Sequence, residues 1–467
     1  MRLLYYFLIA IASVSCTTQT PDVTPGPDQQ DTTVVEQPVD KPVDKPEPEK
    51  PSIEPVEDEV VEDGIDVNAY DHFERVALQS EIQNVQPMTG IVLWTDNDRS
   101  DSKKEYIQLE FAYMLYNQVC KEKDVYDWTP MDQLLDEVAS RGHQLVVRFR
   151  YSYVGKQCSV PDYIKAWPGY EETVGKSEGR TTYFPDWRCE ELQRFHLDFH
   201  KRFAERYDND PRLAFIQTGF GLWAEYHIYD GPRKMGQTFP SKEFQATFFK
   251  EMATYFKNAT WSISIDAADE SYSPLAAQPE LLDIRFGNFD DSFMHKTHNK
   301  YNRDCWIFFG LDRYKKAPCG GEFSYYTDDD QKHCLDKEGM HGRLFENEVK
   351  RYHMTYINGN DQPYYQSMDR IKEASMAMGY SYEILDYRVN GDEAAVLIKN
   401  IGVAPIYRDA YVAVGGVKGD YSLAGLMPGW RQWVVIKGSG VSADAKPEIV
   451  CDHLVPGQKI EYKADVE

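Results

Sequence analysis

One stretch of the chain, Leu213-Ala-Phe-Ile-Gln-Thr-Gly-Phe-Gly-Leu-Trp-Ala-Glu-Tyr-His-Ile-Tyr-Asp230, joins an apolar run to a group of chemically active side chains. Residues 213–218 have the composition of a buried strand, and glycines, aromatic residues, a carboxylic acid and an imidazole follow directly. Glycines let backbone approach a ligand, and Glu225 and His227 can hold or transfer protons. The stretch therefore predicts a strand that ends in a functional site.

Short apolar runs alternate with helical periodicity on both sides of this stretch, from about residue 70 to residue 380. Such alternation is typical of βα units around a parallel sheet. Helical patterns cover 131–141, 189–207 and 242–257. Eight strands are predicted at 90–95, 107–115, 144–150, 213–218, 261–266, 282–286, 317–321 and 354–357.

Eight strands over this length predict a (β/α)8 TIM barrel, in which functional residues lie where the strand C-termini meet the following loops. A doubly wound open sheet is the alternative. It is disfavoured because no glycine-rich phosphate loop follows the first strand, where Trp94-Thr-Asp-Asn97 stands instead.

Residues 381–467 change in character, since apolar and polar residues alternate and Asn-Gly and Pro-Gly turns separate the runs. This pattern predicts a small antiparallel β-sandwich after a barrel domain at 70–380. Such a module either binds carbohydrate or supports the barrel.

The N-terminus has a short positive start, an apolar run at 3–12 and the sequence Ser13-Val-Ser-Cys16. Residues 1–16 resemble a bacterial lipoprotein signal, and the resemblance implies cleavage before Cys16 and lipidation of its thiol. An ordinary cleaved signal is the alternative. Residues 17–66 carry 15 acids and 3 lysines, so we expect an extended, acidic, Pro-rich tether. The predicted location is the bacterial cell envelope, on either side of the outer membrane.

Charge and cysteine spacing exclude several classes of function. A formal net charge of -25 argues against non-specific nucleic-acid binding, which requires basic patches. No cysteine spacing resembles a zinc or redox motif, so we expect no metal and no cofactor. Cys158 with Cys189, and Cys319 with Cys334, could form disulfides outside the cytoplasm, or the thiols could be buried and reduced.

Two carboxylates follow strands that lie almost opposite each other in the predicted barrel. Glu225 follows the fourth strand and Glu322 ends the seventh, in Cys319-Gly-Gly-Glu-Phe323. Glycoside hydrolysis needs such a pair, and we predict Glu225 as general acid/base and Glu322 as nucleophile or general base. Carboxyl groups about 5–5.5 Å apart would predict retention of configuration, and about 6.5–9.5 Å would predict inversion.

Other strand ends supply candidate substrate-binding groups. Arg148 and Arg150 can hold carboxylates ionised, and the two tryptophans can stack on a sugar ring. Asp291 is more readily interpreted as a loop cap, and the aromatic-rich segment 151–189 as a wall of the cleft. The predicted binding residues are Trp94, Arg148, Arg150, Trp223, His227, Asp266, Asn288, Asp290 and Asn358.

Several ordered motifs resemble an uncharacterised bacterial family of secreted, glycoside-hydrolase-like barrel lipoproteins with a C-terminal β-sandwich. The family has the run Gly-x-Trp-Gly-Glu-Trp-His, where this chain has Ala224 and Tyr226 at the second Gly and second Trp. Strands four and seven also resemble the retaining glycosidase clan with carboxylates at those places. The motifs are Tyr183-Phe-Pro-Asp-Trp187, Phe215 to His227, Phe286-Gly-Asn-Phe-Asp290, Gly320-Gly-Glu322 and Asn400-Ile-Gly-Val-Ala-Pro405.

The sequence thus predicts an exported, membrane-anchored glycoside hydrolase that acts on a poly- or oligosaccharide, with retention favoured over inversion. The alternative is a surface lipoprotein that binds carbohydrate in the same cleft without cleaving it.

Overall fold

The computed structural model describes residues 56–57, 61–98 and 106–467. Eight parallel strands close into a barrel, which confirms the predicted (β/α)8 fold and excludes the open sheet. The predicted signal, Cys16 and most of the predicted tether lie outside the described residues. The barrel strands are β1 (Gly90–Trp94), β2 (Leu109–Leu115), β3 (Gln144–Arg150), β4 (Leu213–Gln217), β5 (Thr260–Ser264), β6 (Gly287–Phe293), β7 (Cys319–Phe323) and β8 (Met354–Asn358).

Seven barrel strands begin and end within two residues of their predicted bounds, but the sixth was predicted in the wrong place. The prediction was 282–286, whereas β6 is Gly287–Phe293 and Pro279–Asp283 forms a 3-10 helix. The apolar run was misleading because Leu282 packs outside the strand, and β6 carries polar residues such as Asp290, which accepts a hydrogen bond from Trp306 in the covering helix.

Helices cover the outside of the barrel, and hydrophobic clusters between helices and strands form its largest core. The predicted helices at 131–141, 189–207 and 242–257 are present with slightly different ends. The α-helices are Tyr116–Val119, Thr129–Ser140, Asp162–Lys165, Glu190–Tyr207, Lys242–Tyr255, Asn299–Phe309, Asp328–His333, Phe345–Arg351, Gln362–Tyr365 and Met368–Met376. None of those in the described ranges is long and apolar enough to span a bilayer.

The C-terminal residues form two sheets, as the alternating pattern predicts. Two strands from before the barrel, Glu74–Arg75 and Leu78–Ser80, join the larger sheet, although they fall in the segment assigned to the barrel from sequence. The larger sheet also contains Arg431–Lys437, Glu393–Asn400, Tyr382–Asn390 and Tyr462–Val466, and the smaller one contains Val417–Ser422, Ala410–Val414 and Pro447–Cys451.

The sheets pack against the amino-terminal end of the barrel, because their contacts involve the first residues of barrel strands. Gln144 Nε2, at the start of β3, donates to the carbonyl of His453 at 2.8 Å, and Arg408 Nη2 donates to the carbonyl of Leu213 at 3.5 Å. One hydrophobic cluster continues from the lower barrel interior into the sheets. This arrangement leaves the opposite end of the barrel open.

All seven cysteines of the described residues are free thiols, so neither of the two possible disulfides has formed and the reduced alternative holds. Cys158 and Cys189 pack within one hydrophobic cluster, and Cys319 and Cys334 pack within another. A buried thiol behaves as a small apolar side chain, which accounts for these positions without a covalent link.

Candidate active site

A cavity of about 370 Å³ opens at the carboxyl ends of the barrel strands. Both predicted catalytic residues line it, together with three of the predicted binding residues. The lining residues are Trp94, Tyr113, Tyr153, Glu178, Trp223, Glu225, His227, Tyr229, Asp291, Glu322, Tyr325 and Tyr326.

Glu225 is placed by a tight loop that folds back on itself after β4. Gly221 N–H donates to the carbonyl of Glu225 at 2.8 Å, and Leu222 N–H donates to the carbonyl of His227 at 3.1 Å. A Cβ on Gly221 would lie 1.8 Å from that His227 carbonyl oxygen, so only glycine fits. Trp223 and Ala224 both have left-handed backbone, with φ of 55° and 57°. Such strain at non-glycine residues is typical of functional sites.

Glu225 is buried and paired with a buried cation. Arg148 Nη1 from β3 donates to Glu225 Oε1 at 2.9 Å, and Arg148 Nε donates to Gln217 Oε1 at 2.9 Å. The guanidinium also lies 4.3 Å from the centre of the Phe289 ring. Burial raises the pKa of Glu225, whereas Arg148 and His227 act in the opposite direction. A guanidinium at hydrogen-bond distance stabilises an anion in such a buried position.

His227 lies between two carboxylates. Its Nδ1 is 3.0 Å from Asp266 Oδ2, and its Nε2 is 3.6 Å from Glu225 Oε2. Ser264 Oγ donates to the same Asp266 oxygen at 2.9 Å and fixes that carboxylate. Burial opposes a charge on His227, yet Asp266 and the other nearby carboxylates raise its pKa to about 10. The imidazolium therefore adds a second positive charge beside Glu225. Asp266 itself holds this ring rather than lining the cavity.

Two carboxyl groups of the cavity, Glu322 and Asp291, have pKa values that burial raises above the ordinary range. Glu322 lies on β7 beside Asn358 of β8, and its side chain makes no hydrogen bond or ion pair with other residues of the described ranges. Burial raises the pKa of Glu322 to about 8; Arg148 opposes this shift and Glu225 adds to it. Glu322 is therefore protonated at neutral pH, unlike a carboxyl group in water.

The position of β6 decides which of its acids faces the cavity. Successive residues of a strand point to opposite sides, so Asp291 faces the barrel mouth and Asn288 and Asp290 face the helices. Asp290 accepts a hydrogen bond from Trp306 Nε1 at 3.2 Å in the surrounding helix. Asn288 and Asp290 are therefore not cavity residues, contrary to the sequence prediction. Asp291, interpreted from sequence as a loop cap, does line the cavity.

Two further predicted binding residues lie near the cavity without lining it. The Arg150 guanidinium lies 4.5 Å from the centre of the Tyr153 ring and supports that aromatic wall. Asn358 is buried beside Glu322, and its Oδ1 has no hydrogen-bond partner in the described part of the chain. Neither side chain lines the cavity in this structure.

The aromatic-rich segment 151–189 contributes less to the cavity than predicted. Only Tyr153 and Glu178 of this segment line it, and Glu178 comes from the turn of the hairpin Thr173–Ser177 and Arg180–Phe184. Trp187 is buried in the hydrophobic core, where such large rings are commonly found.

Glu225, His227 and Asp291 could together hold a metal ion, since each offers one ligand atom and these atoms lie within 4.8 Å of one another. Asp266 on the other imidazole nitrogen has the position of the carboxylate that commonly orients a metal-binding histidine. The sequence spacing does not predict this set of possible ligands, because Asp291 comes from β6 whereas Glu225 and His227 follow β4.

Sequence reasoning missed the tyrosines that line much of the cavity. Tyr113 alternates with apolar residues along β2 and appeared to be core, while Tyr325 and Tyr326 follow Glu322 directly. Their nearness to Glu322 in a strand-end loop was the available signal. Tyr229, four residues after Glu225, carried the same signal.

No protein-family model matches the chain, and no curated protein matches it. The catalytic domain of a β-amylase from Paenibacillus polymyxa is similar, with a TM-score of 0.40, 10% identity, and coverage of 63% of this chain and 99% of that chain. A GH30 endoxylanase from Clostridium papyrosolvens has a TM-score of 0.39, 10% identity, and coverage of 82% and 97%. GH5_18 from Bifidobacterium longum has a TM-score of 0.35, 8% identity, and coverage of 59% and 69%.

These structural neighbours are glycoside hydrolases with barrel folds. The fold of the present chain is established by its own closed ring of strands. Membership of the lipoprotein family inferred from the motifs stays a prediction.

Proposed function

We propose that this protein is a glycoside hydrolase that acts through Glu225 and Glu322. The observation that carries the proposal is that these two carboxyl groups, from opposite sides of the barrel, line one aromatic cavity in different electrostatic surroundings. Paired carboxyl groups whose pKa values are separated by their environments are what glycoside hydrolysis requires.

The contacts favour exchanging the roles that strand order predicts. Glu322, whose pKa burial raises to about 8, acts as general acid, while Glu225, beside Arg148 and His227, acts as the carboxylate nucleophile. In this scheme Glu322 donates its proton to the glycosidic oxygen as the bond from that oxygen to the anomeric carbon breaks. Glu225 then forms an ester with the anomeric carbon.

Water completes the reaction. Glu322, now a carboxylate, takes a proton from water, the hydroxyl adds to the anomeric carbon, and Glu225 leaves as a carboxylate. Two displacements at one carbon retain the configuration. Proton NMR of the first-formed product tests this, since an inverted anomer would exclude the ester intermediate and give Glu225 the role of base.

The two roles can be separated by the leaving group of the substrate. Dinitrophenyl glycosides have a leaving group that needs no proton, so Glu322→Ala should keep ester formation on them and lose turnover of unactivated glycosides. Glu225→Ala should lose both. The opposite pattern would return the roles to those predicted from strand order.

A panel of neutral glycans should be tested with wild type, Glu225→Gln and Glu322→Gln, with and without a chelator. Equal turnover in all three proteins would exclude both assignments. Binding without turnover in wild type would instead support the alternative, a protein that only captures carbohydrate. Turnover lost on chelation would mean that a cation at Glu225, His227 and Asp291 is required.

Anchoring to the cell envelope is part of the proposal and rests on residues 1–16. Lipid on Cys16 would place the protein in the membrane fraction, where labelled palmitate would mark it. The variant Cys16→Ala should leave that fraction and lose the label. An unlabelled wild type would indicate an ordinary cleaved signal.

A further inference from the structure

Three side chains of the cavity each bring one possible metal ligand to the same place. Glu225 and His227 follow β4 and Asp291 belongs to β6, and one ligand atom from each lies within 4.8 Å of the others. Glu225 and His227 are buried and Asp291 is half-buried. Carboxylates often lie close together on a protein surface, but converging carboxylates that are withdrawn from water are costly unless a cation lies between them.

The contacts around Glu225 and His227 direct one atom of each toward the other. Arg148 Nη1 donates to Glu225 Oε1 at 2.9 Å, while Glu225 Oε2 is 3.6 Å from His227 Nε2. Asp266 holds the other nitrogen of the ring, Nδ1, at 3.0 Å. A carboxylate in that position is the usual partner of a metal-binding histidine, because it fixes the ring and makes the remaining nitrogen a better ligand.

Asp291 supplies a carboxylate that has no other partner. Its side chain makes no hydrogen bond or ion pair with the residues that the structure describes. Burial and the charges of Asp266 and Glu225 raise the pKa of Asp291 well above its ordinary range. A cation between these carboxylates would remove that repulsion.

A second histidine–aspartate group, in the loops after β6 and β7, differs in this respect. Asp330 lies 3.2 Å from His341 Nε2 and 3.7 Å from His295 Nε2, and Ser324 Oγ donates to it at 3.1 Å. His295 Nδ1 accepts a hydrogen bond from the backbone N–H of His298 at 3.2 Å. The polar atoms of this group therefore already bind one another, and the group provides a matched control.

We propose that Glu225, His227 and Asp291 bind one divalent cation of the first transition row, with Zn²⁺ as the representative metal. One imidazole nitrogen and two carboxylate oxygens are a donor set that suits zinc, and three protein ligands beside a cavity leave a position for water. Mg²⁺ and Ca²⁺ prefer oxygen ligands alone, so they should bind more weakly. The guanidinium of Arg148 should limit the affinity, because it is a positive charge on the same carboxylate.

A cation at this place would inhibit the proposed hydrolysis. Arg148 occupies one oxygen of Glu225 and the cation would occupy the other, so neither oxygen would be free to attack the anomeric carbon. Zinc should therefore compete with substrate, raising KM and leaving kcat unchanged. The inhibition rests on the proposed role of Glu225, whereas the binding rests on the geometry alone.

Isothermal titration calorimetry with zinc chloride tests the binding, in Cys16→Ala protein so that this thiol cannot bind zinc itself. We expect one zinc per chain. Asp291→Asn removes a ligand and Asp266→Asn removes the partner of His227, and each should weaken the affinity about 10–100-fold. His341→Gln, the control in the second group, should bind zinc as the parent protein does. Magnesium and calcium chloride give the comparison for metal class.

Thermal melts without zinc show whether each variant folds. Asp291→Asn keeps the size of the side chain and removes only the carboxylate, so it is the decisive variant. Should it fail to fold, X-ray absorption at the zinc edge of the loaded parent protein decides, since one imidazole among oxygen ligands is expected. A sulfur ligand or several imidazoles would overturn the site.

The outcomes separate this inference from the function on which its second part rests. No zinc binding below about 1 mM, equal affinity in Asp291→Asn, or binding lost only in His341→Gln would overturn the site. If glycans are hydrolysed, zinc that activates, or that binds here without raising KM, would overturn the inhibition and leave the hydrolase proposal intact. If no glycan is hydrolysed, the hydrolase proposal fails and the calorimetry still decides the cation site.

Discussion

Glu225 and Glu322 are the same residue type in one cavity, yet only Glu225 has a cation at hydrogen-bond distance. Burial raises the pKa of both carboxyl groups and Arg148 opposes the shift at both, but only Glu225 also has the hydrogen bond from Arg148 and the charge of His227. The difference in surroundings between the two carboxyl groups therefore follows from the hydrogen bond of Arg148 and the nearness of His227, rather than from any difference between the glutamates.

The raised pKa of Glu322 predicts that both activity and the free energy of unfolding fall as the pH becomes basic. With a pKa of about 8, Glu322 loses its proton as pH rises through that value, so kcat/KM should fall above about pH 8. The folded state also holds a proton that the unfolded state releases near its ordinary pKa. The bound proton therefore makes its full contribution to the free energy of unfolding at acid pH. That contribution is lost as pH rises through about 8.

We therefore expect the free energy of unfolding of wild type to fall by about 2 kcal/mol between pH 6 and pH 9 through Glu322. The variant Glu322→Gln cannot ionise and should lose most of that dependence, becoming the more stable protein at pH 9. Urea unfolding at several pH values measures both curves. Parallel curves for the two proteins would contradict a raised pKa at this position.

Removal of the buried cation should affect both stability and the acid side of the pH profile. Arg148→Gln leaves Glu225 without its partner, which costs about 3–5 kcal/mol in unfolding free energy for buried pairs. The pKa of Glu225 should rise further without that positive charge, so the acid limit of kcat/KM should move to higher pH. Arg148→Lys, as the control, keeps the charge and should show a smaller shift. An unmoved acid limit in Arg148→Gln would show that Arg148 does not govern Glu225.

At the scale of elements, the loop between β4 and the following helix fixes the position of Glu225. Its backbone folds back so closely that Gly221 cannot carry a side chain. The variant Gly221→Ala would place a Cβ 1.8 Å from the carbonyl oxygen of His227, so the loop must open. We expect a loss of about 3 kcal/mol in unfolding free energy and a large fall in kcat. At Gly425, where the nearest atom to a new Cβ is 3.6 Å away, Gly425→Ala should change neither. Normal activity in Gly221→Ala would mean that this loop does not position the site.

Ala224 occupies a backbone conformation that suits glycine, with φ of 57°. Left-handed backbone costs an L-residue about 1–2 kcal/mol, and glycine costs about 0.4–1 kcal/mol through the unfolded chain. Ala224→Gly should therefore stabilise the protein by about 0.5–1 kcal/mol, which denaturant unfolding can measure. Ala246→Gly, within the helix Lys242–Tyr255, should instead destabilise it by about 1 kcal/mol. Destabilisation by Ala224→Gly would show that its methyl group contributes more to packing than the backbone strain costs.

The sequence predicted strands well wherever hydrophobic residues mark them, and it failed at β6, where function and packing place polar residues in a strand. A strand at 282–286 would make Asn288 and Asp290 loop residues at the mouth, whereas the strand is Gly287–Phe293. The true register turns them toward the helices and brings Asp291 inward. Glu225 and Glu322 could be predicted because glycine and aromatic residues surround them in the sequence. Tyr113 lies within the apolar run of β2, where no neighbouring residue indicates a functional position.

At the scale of the whole molecule, the site and the sheet domain occupy opposite ends of the barrel. The sheets contact residues at the starts of β3 and β4, and the cavity lies at the strand ends. Chain from before the barrel completes the larger sheet, so both ends of the described chain are tied to this support. The contacts favour the supporting role over carbohydrate binding for this domain.

A buried arginine in the sheet domain allows the supporting role to be tested apart from catalysis. Arg408 is 5% exposed and donates to the carbonyls of Asp208 and Leu213, at 3.1 and 3.5 Å, just before and at the start of β4. Arg408→Met leaves both carbonyls without this donor, which should cost about 2 kcal/mol in unfolding free energy. KM should not change below the unfolding transition, because the cavity lies at the far end of the strands. Lys437→Met, the control, removes an exposed ion pair of the same domain and should lower the unfolding free energy by less than about 1 kcal/mol.

If the sheets support the barrel, Arg408→Met unfolds in one transition shifted to lower denaturant concentration. Two separate transitions, with activity following only the second, would mean that the barrel holds its site without the sheets.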